Sequence, residues 1–405
     1  MIWSIITGCF TTMLDERGEQ KTEDAMKLGT YANVEVHRVD KMLVVQFLKP
    51  HQVISTCRVH GGLHDGLECV FNHQSCEPAA HSRKELKTII SNPEEYLSGL
   101  CSRYALPLNS ASLGTAANMN YAAIETERFR GLEVTAICTG GVEGNAGRVG
   151  DPASVWEENG SFRPLDGTGR EPAGTINTIL VINRELSRGA MVRSIMTATE
   201  AKTAVLQELA VSSRYSDGLA TGTGTDQIAV ASALNGEQPL TSAGKHAKLG
   251  ELIGRSVQQA IRKTLSLQNG LTPESQRSVL AHIRRFGATR DSMVDAITAR
   301  LDDETGGVFQ RNFDGFDRDP MAVGAACALV HLRDKTAWGI LPESCWKEQL
   351  VLYGALLAAA VAHRHEHCSR YAGQLEHEAA GTGNDEFLKF LFACCALGYS
   401  EKWKE

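Results

Sequence analysis

The chain lacks a basic surplus. Its 405 residues carry 41 lysines and arginines against 48 aspartates and glutamates, a net charge of −7, so it has no electrostatic footprint for a nucleic acid. It lacks a GxxxxGK[ST] loop, and no GxGxxG opens a helix after a strand. Neither ATP nor a nicotinamide cofactor is therefore indicated. No two cysteines stand in CxxC spacing. The opening MIWSIITGCF has no basic residues, and Thr7 and Gly8 interrupt its apolar run, which makes it a poor signal peptide. The longest apolar run, Leu350 to Ala362, falls short of the ~20 residues that span a bilayer. No internal repeat or low-complexity tract is present. These absences lead us to expect a cytoplasmic protein with no membrane partner.

The composition is that of a globular protein, 42% hydrophobic and 22% charged, long enough for two or three domains. The odd count of 11 cysteines at irregular spacing fits reduced thiols better than a bridged framework. The texture changes along the chain. Residues 1–30 form an irregular leader. Residues 31–268 are rich in glycine and β-type runs: 34–39 and 42–48 around Asp40-Lys41, 122–126 and 132–139 around Arg130-Gly131, then 176–182 and 227–231. Helices are expected at 188–210 and 245–266. Hairpins mixed with helices predict an α+β fold with a mixed or largely antiparallel sheet. From Thr272-Pro273-Glu274, an N-cap with proline at the first helical position, helical patterns at 273–286, 291–301, 320–334, 343–371 and 384–397 predict an all-α region over 269–405.

One helix carries an anomaly. Met191, Ile195, Ala198, Val205, Leu206 and Leu209 share a face at 100° per residue, and Lys202 falls within that stripe while Glu200 points away. A lysine there must snorkel, pair with an acid, or face a pocket as a desolvated base. Two turns rich in small hydroxyl residues precede apolar strands, Gly174-Thr175-Ile176-Asn177 and Thr221-Gly222-Thr223-Gly224-Thr225-Asp226. They can supply a nucleophile and backbone donors for an oxyanion, or they are simply tight turns. His246, after Gly244-Lys245, is expected at a helix start, where it can act as a base or a cap.

The runs GTINTILVINRELSRGAMVRSIMTATEAKTAVLQEL (174–209), ATGTGTDQIAVAS (220–232) and GKHAKLGELIGRSV (244–257), preceded in order by VISTCRVHGGLHDGL (53–67), GTAANMNYAAI (114–124) and TAICTGGVEGNAGRVGDPA (135–153), resemble the adenosylcobinamide amidohydrolase family over residues 40–265. The resemblance implies hydrolysis of the amide joining aminopropanol to a propionate side chain of the corrin ring. The product would be adenosylcobyric acid, for salvage into cobalamin-type corrinoids. It implies a corrinoid substrate and no cofactor beyond that substrate's cobalt, and it names no catalytic residue. From the residues themselves, Thr175, Asn177, Lys202, Asp226 and His246 are the catalytic candidates. Asn145, Asp151, Glu200, Gly61, Gly62 and residues 221–225 are assigned to the substrate.

A fainter resemblance, to self-processing ornithine acetyltransferases and aminopeptidases, would make Thr175 a nucleophile freed by backbone cleavage. Two alternatives therefore stay open: a self-cleaving, Thr-nucleophile amide hydrolase or acyltransferase of another substrate, and a non-catalytic corrinoid or metal binder. Cys57, His60, His64, Cys69, His73, Cys76 and His81 could ligate zinc, iron or cobalt. His363 and His367, if helical, would share a face. A homo-oligomer is left open.

Overall fold

The computed structural model describes residues 13–14, 20–21, 25–75, 89, 91–159, 161–165, 174–379 and 381–404. The opening decapeptide, with its expected lack of a signal sequence, lies outside the described residues. The chain divides into two compact units, Met1–Leu271 and Thr272–Glu405.

Among the described residues, the two main sheets of the first unit comprise eleven strands, flanked by three α-helices. The strands are β1 (Met26–Tyr31), β2 (Val34–Val39), β3 (Met42–Phe47), β4 (His51–Ser55), β5 (Gly62–Asp65), β6 (Cys69–Gln74), β7 (Ser110–Thr115), β8 (Ala123–Phe129), β9 (Leu132–Gly140), β10 (Ile176–Ile182) and β11 (Gln227–Ala233). The helices are α1 (Pro93–Arg103), α2 (Arg188–Glu208) and α3 (Lys248–Asn269). Five strands pair in the order β1-β2-β3-β6-β7 and six in the order β8-β9-β10-β11-β4-β5. Pairing is antiparallel except at β6–β7 and β10–β11, so the expected largely antiparallel, mixed arrangement holds. The β8–β9 hairpin turns through Arg130 and Gly131 at φ 45° and 80°, the positive-φ pair that matches the twist of the flanking strands. The expected leader ends earlier than residue 30, because Met26–Tyr31 adds an edge strand to β2. A register shift between Lys27 and Gly29 spoils the alternation that would have revealed it.

Strand β10 is buried at all seven positions, and its two faces serve different layers. Ile176, Leu180 and Ile182 join Met191, Ala198 and Val205 of α2 and Ile253, Val257 and Ile261 of α3 in one core. Ile179 and Val181 meet Val36, Val45, Val70 and Leu113 of the other sheet. On that sheet's far side, Met42, Val44 and Phe71 pack on Leu97, Leu100 and Cys101 of α1. The result is four layers, helix–sheet–sheet–helix. Each fully buried large aliphatic side chain contributes roughly 1.5–3 kcal/mol. Ser187 caps α2 by accepting from Ala190 N, and Gly270 at φ 62° ends α3.

The second unit is helical, as expected, though its breaks fall differently. Ser278 caps a new helix, Val279–Ile283, so the expected 273–286 helix is divided. Asp303–Arg311 and Phe313–Asp317 were not expected, since Gly306-Gly307 lowers helix propensity. His363 adopts φ 56° and ends Trp346–Ala362, so His363 and His367 do not share a helical face. Phe309, Phe313, Leu350, Phe387 and Tyr399 lie in the unit's own core. Among the described residues one stretch, Glu343–Ala362, is long and apolar enough to cross a membrane, but Leu350 and Leu357–Ala359 are fully buried in that core.

Every core cluster closes within one unit. A chain ending at Leu271 is therefore expected to stay soluble and unfold in one cooperative thermal transition. Aggregation or a featureless melt would contradict this.

Candidate active site

Strands β10 and β11 run parallel, so their first residues lie at the same end of the sheet. The last residues of β9 and β4 lie there too, because both pair antiparallel with these strands. A parallel connection must return along the sheet, and α2 makes that return. Lys202 is fourteen residues past the start of α2, ~21 Å at 1.5 Å per residue. A seven-residue strand spans ~23 Å. The helix therefore brings Lys202 back over the strand starts.

There Lys202 Nζ pairs with Asp226 Oδ2, each side chain only 14% exposed. Of the three fates open to a lysine in an apolar stripe, the fold takes pairing, not an isolated desolvated amine. Asp226 has further donors. Ile176 N (2.8 Å) and Thr223 Oγ1 (2.5 Å) donate to Oδ1, and Thr223 N (3.0 Å) donates to Oδ2. One carboxylate thus ties α2, the 221–225 loop and the start of β10. Gly222 makes this possible: a Cβ there would lie 2.5 Å from Asp226 Oδ2 and 2.8 Å from Lys202 Nζ. The loop is anchored on its other side by pairing of Gly222–Thr223 with Ala146–Gly147, and Thr221 Oγ1 accepts from Val149 N (2.9 Å).

Next to the ion pair, three polar side chains gather on a main-chain carbonyl. Asn145 Nδ2 donates to the Gly174 oxygen (3.1 Å), and Thr175 Oγ1 and Thr225 Oγ1 lie 2.8 and 3.0 Å from it. The two hydroxyls are 2.6 Å apart, so one donates to the other and the second donates to the carbonyl. Asn145 is oriented by Tyr215, whose hydroxyl donates to Oδ1 (2.7 Å). Gly174 is packed tightly, since a Cβ would meet Gly141 O at 2.9 Å and Asn145 N at 3.1 Å. Tyr215 and the Gly174 carbonyl carried no sequence signal. The tyrosine lies in a loop, and the carbonyl belongs to the backbone.

Thr175, Lys202, Asp226, Asn145, Thr223 and Thr225 therefore form one constellation. The other candidates stand apart from it. Asn177 is buried between the sheets: its Nδ2 donates to Asn72 Oδ1 and Gly114 O, and its Oδ1 accepts from Gln227 N. Its amide is fully used in joining strands, which leaves it no reacting partner. His246 is exposed in the turn before α3 and makes none of the bonds above. Glu200 faces outward and pairs with Lys245 (2.8 Å). Asp151 organises the 148–151 turn, accepting from Arg148 N (2.7 Å) and Ser213 Oγ (2.6 Å). Burial opposes its charge, but donors including Ser213, Ser216 and the Arg148 amide outweigh it and hold the carboxyl below its usual range. Gly61 and Gly62 form the turn into β5. A Cβ on Gly61 would strike Cys57 O, and Gly62 sits at φ 80°.

In the Cys/His-rich segment, Cys76 and His81 lie outside the described residues. Four of the others are engaged by residues outside the set. His60 meets Ser110 O, His64 meets Gly61 O, Cys69 meets Ser110 Oγ, and His73 meets Tyr96 Oη. Burial pushes the Cys57 thiol up to about 11 and the Cys69 thiol up to about 12, which disfavours the thiolates that bind metal. Among the described residues no three His, Cys, Asp or Glu gather as metal ligands.

Two comparisons bear on what this arrangement serves. The sequence profile of adenosylcobinamide amidohydrolase (CbiZ) matches residues 27–273. An uncharacterized protein of Methanocaldococcus jannaschii, MJ1613, is 32% identical over 235 residues, covering 56% of this chain and 87% of that one. The crystal structure of the PH0078 protein from Pyrococcus horikoshii OT3 aligns with 60% of this chain and 83% of its own, at 11% identity. Its TM-score of 0.29 is too low to carry an argument.

Gly222→Ala is expected to displace the ion pair and cost about 1–3 kcal/mol, the usual range for overpacking. Gly224→Ala, whose Cβ would meet nothing closer than 3.4 Å, should cost less. Equal denaturation midpoints for the two variants would refute the packing argument. A second expectation concerns pH. Burial pushes His73 down to about 4, so the folded state prefers it neutral. Its contribution is complete above about 6.5, the unfolded value, and is lost as pH falls from there towards 4. His73→Leu should flatten the acid side of the stability profile in that window, and an unchanged slope would exclude His73 as its source.

Proposed function

This chain belongs to the adenosylcobinamide amidohydrolase family, and from that premise we propose that it hydrolyses the aminopropanol amide of adenosylcobinamide or a close corrinoid relative. Adenosylcobyric acid and aminopropanol would be the products. The observation that carries this reading is the Gly174 carbonyl. Asn145 Nδ2 and Thr225 Oγ1 hold an amide oxygen beside the Thr175 hydroxyl, the arrangement that an amide hydrolase must offer its substrate.

In the proposed chemistry Thr175 Oγ1 attacks the amide carbon and its proton leaves towards Thr225 Oγ1, 2.6 Å away; once aminopropanol has left, one water hydrolyses the resulting ester, its hydroxyl going to the corrinoid carboxyl carbon and its remaining hydrogen to Thr175 Oγ1. Asn145 Nδ2 and the Thr225 hydroxyl receive the developing oxyanion. The leaving aminopropanol nitrogen must gain a proton, which can return along the same hydroxyls. Lys202 and Asp226 act as positioning residues in this scheme. An ammonium donating to a carboxylate has no lone pair with which to accept a proton. The pair holds the 221–225 loop against the start of β10 and sets the distance between Thr225 and Thr175. The glycines of that loop let backbone come close to a large corrinoid.

The decisive experiment incubates the protein with adenosylcobinamide in the absence of ATP and follows the product by mass. Adenosylcobyric acid is expected; product formed only on addition of ATP would overturn the reading. Lys202→Met, which keeps the apolar stem, should lower kcat by roughly 10²-fold, the cost of about 1 Å of misplacement, with little change in corrinoid affinity. Full activity in that variant would remove Lys202 from the site.

A further inference from the structure

An asparagine that receives an oxyanion must hold its amide still. Asn145 has two rotatable side-chain bonds to restrain. One end of its amide, Nδ2, meets the Gly174 oxygen at 3.1 Å. The other end, Oδ1, accepts from the Tyr215 hydroxyl at 2.7 Å, across 70 residues of sequence. The tyrosine is itself held, by bonds that do not involve the Asn145 side chain. Tyr215 N donates to Ser213 Oγ (3.0 Å), and Ser213 Oγ donates to Asp151 Oδ2 (2.6 Å). Ser213 N donates to Gly218 O and Arg214 N to Ala146 O, both at 2.9 Å. The ring lies against Gly147, where a Cβ would come within 3.3 Å of it. The loop at 213–218 is thus fastened along residues 146–151, and the hydroxyl reaches Asn145 already placed. Tyr215 is 42% exposed, so its ring adds little to a core and the value of the residue lies at its hydroxyl.

On the hydrolase reading, we infer that Tyr215 is a positioning residue for the reaction: by donating to Asn145 Oδ1 it fixes the side-chain amide that receives the oxyanion and makes its N–H a stronger donor. Hydrogen bonds in series polarise one another. A proton held at Oδ1 draws electron density from Nδ2, and the gain is largest when Nδ2 faces a developing negative charge. Such an effect raises the rate of the chemical step and not the affinity for substrate, because the ground-state amide carries little charge on its oxygen. Tyr215 acts without touching the corrinoid. Asp151 stands at the far end of the same chain of bonds and reaches Asn145 through Ser213 and Tyr215.

The test is steady-state kinetics on adenosylcobinamide with the full-length wild type, Tyr215→Phe, Asn145→Ala and the double variant, with thermal melting to show that each is folded. Tyr215→Phe should lower kcat roughly ten-fold, the effect of about one hydrogen bond, and leave KM unchanged. Asn145→Ala should lower kcat by roughly 10²–10³, the range for a lost oxyanion donor. In the Asn145→Ala background, Tyr215→Phe should cost nothing further, because its effect passes through that amide. A tyrosine that only stabilised its loop would cost the same in both backgrounds. Three outcomes overturn the inference and leave the hydrolase reading standing: wild-type kcat in Tyr215→Phe, a loss confined to KM, or losses that multiply in the double variant. A wild type that yields no adenosylcobyric acid defeats the hydrolase reading, and the role of Tyr215 falls with it.

Discussion

The carboxylate of Asp226 is the constraint on which the rest of the site depends. It accepts from a lysine on α2, from an amide at the start of β10, and from both the amide and the hydroxyl of Thr223. Removing it would free three separate segments. The cost would exceed that of one hydrogen bond, since charged acceptors hold their donors more strongly than neutral ones, and the lysine would be left largely buried without a partner. Its neighbour in sequence, Thr225, reaches the Gly174 carbonyl. The electrostatic anchor and one of the two paired threonine hydroxyls are thus adjacent in sequence.

A second polar assembly lies behind the first. Asn72 donates to Thr139, Asn177 joins Asn72 to Gly114, and Gly114 N donates to the Gln227 side chain. These groups cross from one sheet to the other at the same end as Thr175 and Asp226. Buried polar groups in such a network are satisfied only in one register, so the network fixes how the two sheets align. Asn177 is engaged in this alignment through both ends of its side-chain amide.

Much of the fold was legible in the sequence where local pattern and tertiary role agree. Val34, Val36 and Val39, and the run Ile179–Ile182, are apolar because both their neighbours and their packing demand it. Strands β4, β6 and β7 escaped notice because buried positions in them are polar. Gln52 donates to Leu186 O, 134 residues away, and Cys69 meets Ser110 Oγ. Such side chains look like loop residues until their distant partners are in place. At the site, Lys202 betrayed itself as a charge in an apolar stripe. Its partner, 24 residues on, was visible only as an acid closing a threonine-rich loop. His246 was drawn in by its place at an expected helix start, but the fold turns it, like Glu200, to solvent.

The parallel pairing of β10 and β11 has a consequence for how this protein can vary. Because α2 must carry the chain back along the sheet, the distance from Ser187 to Lys202 works as a ruler. Adding or removing one residue between them would turn the lysine about 100° around the helix and shift it ~1.5 Å along the axis, away from Asp226. The hairpin at Val155–Pro164, whose strands are exposed at every described position, measures nothing comparable. Length changes should therefore be tolerated in that hairpin and forbidden in the first two-thirds of α2, so that within this unit a helix is the rigid element and a loop-borne hairpin the free one.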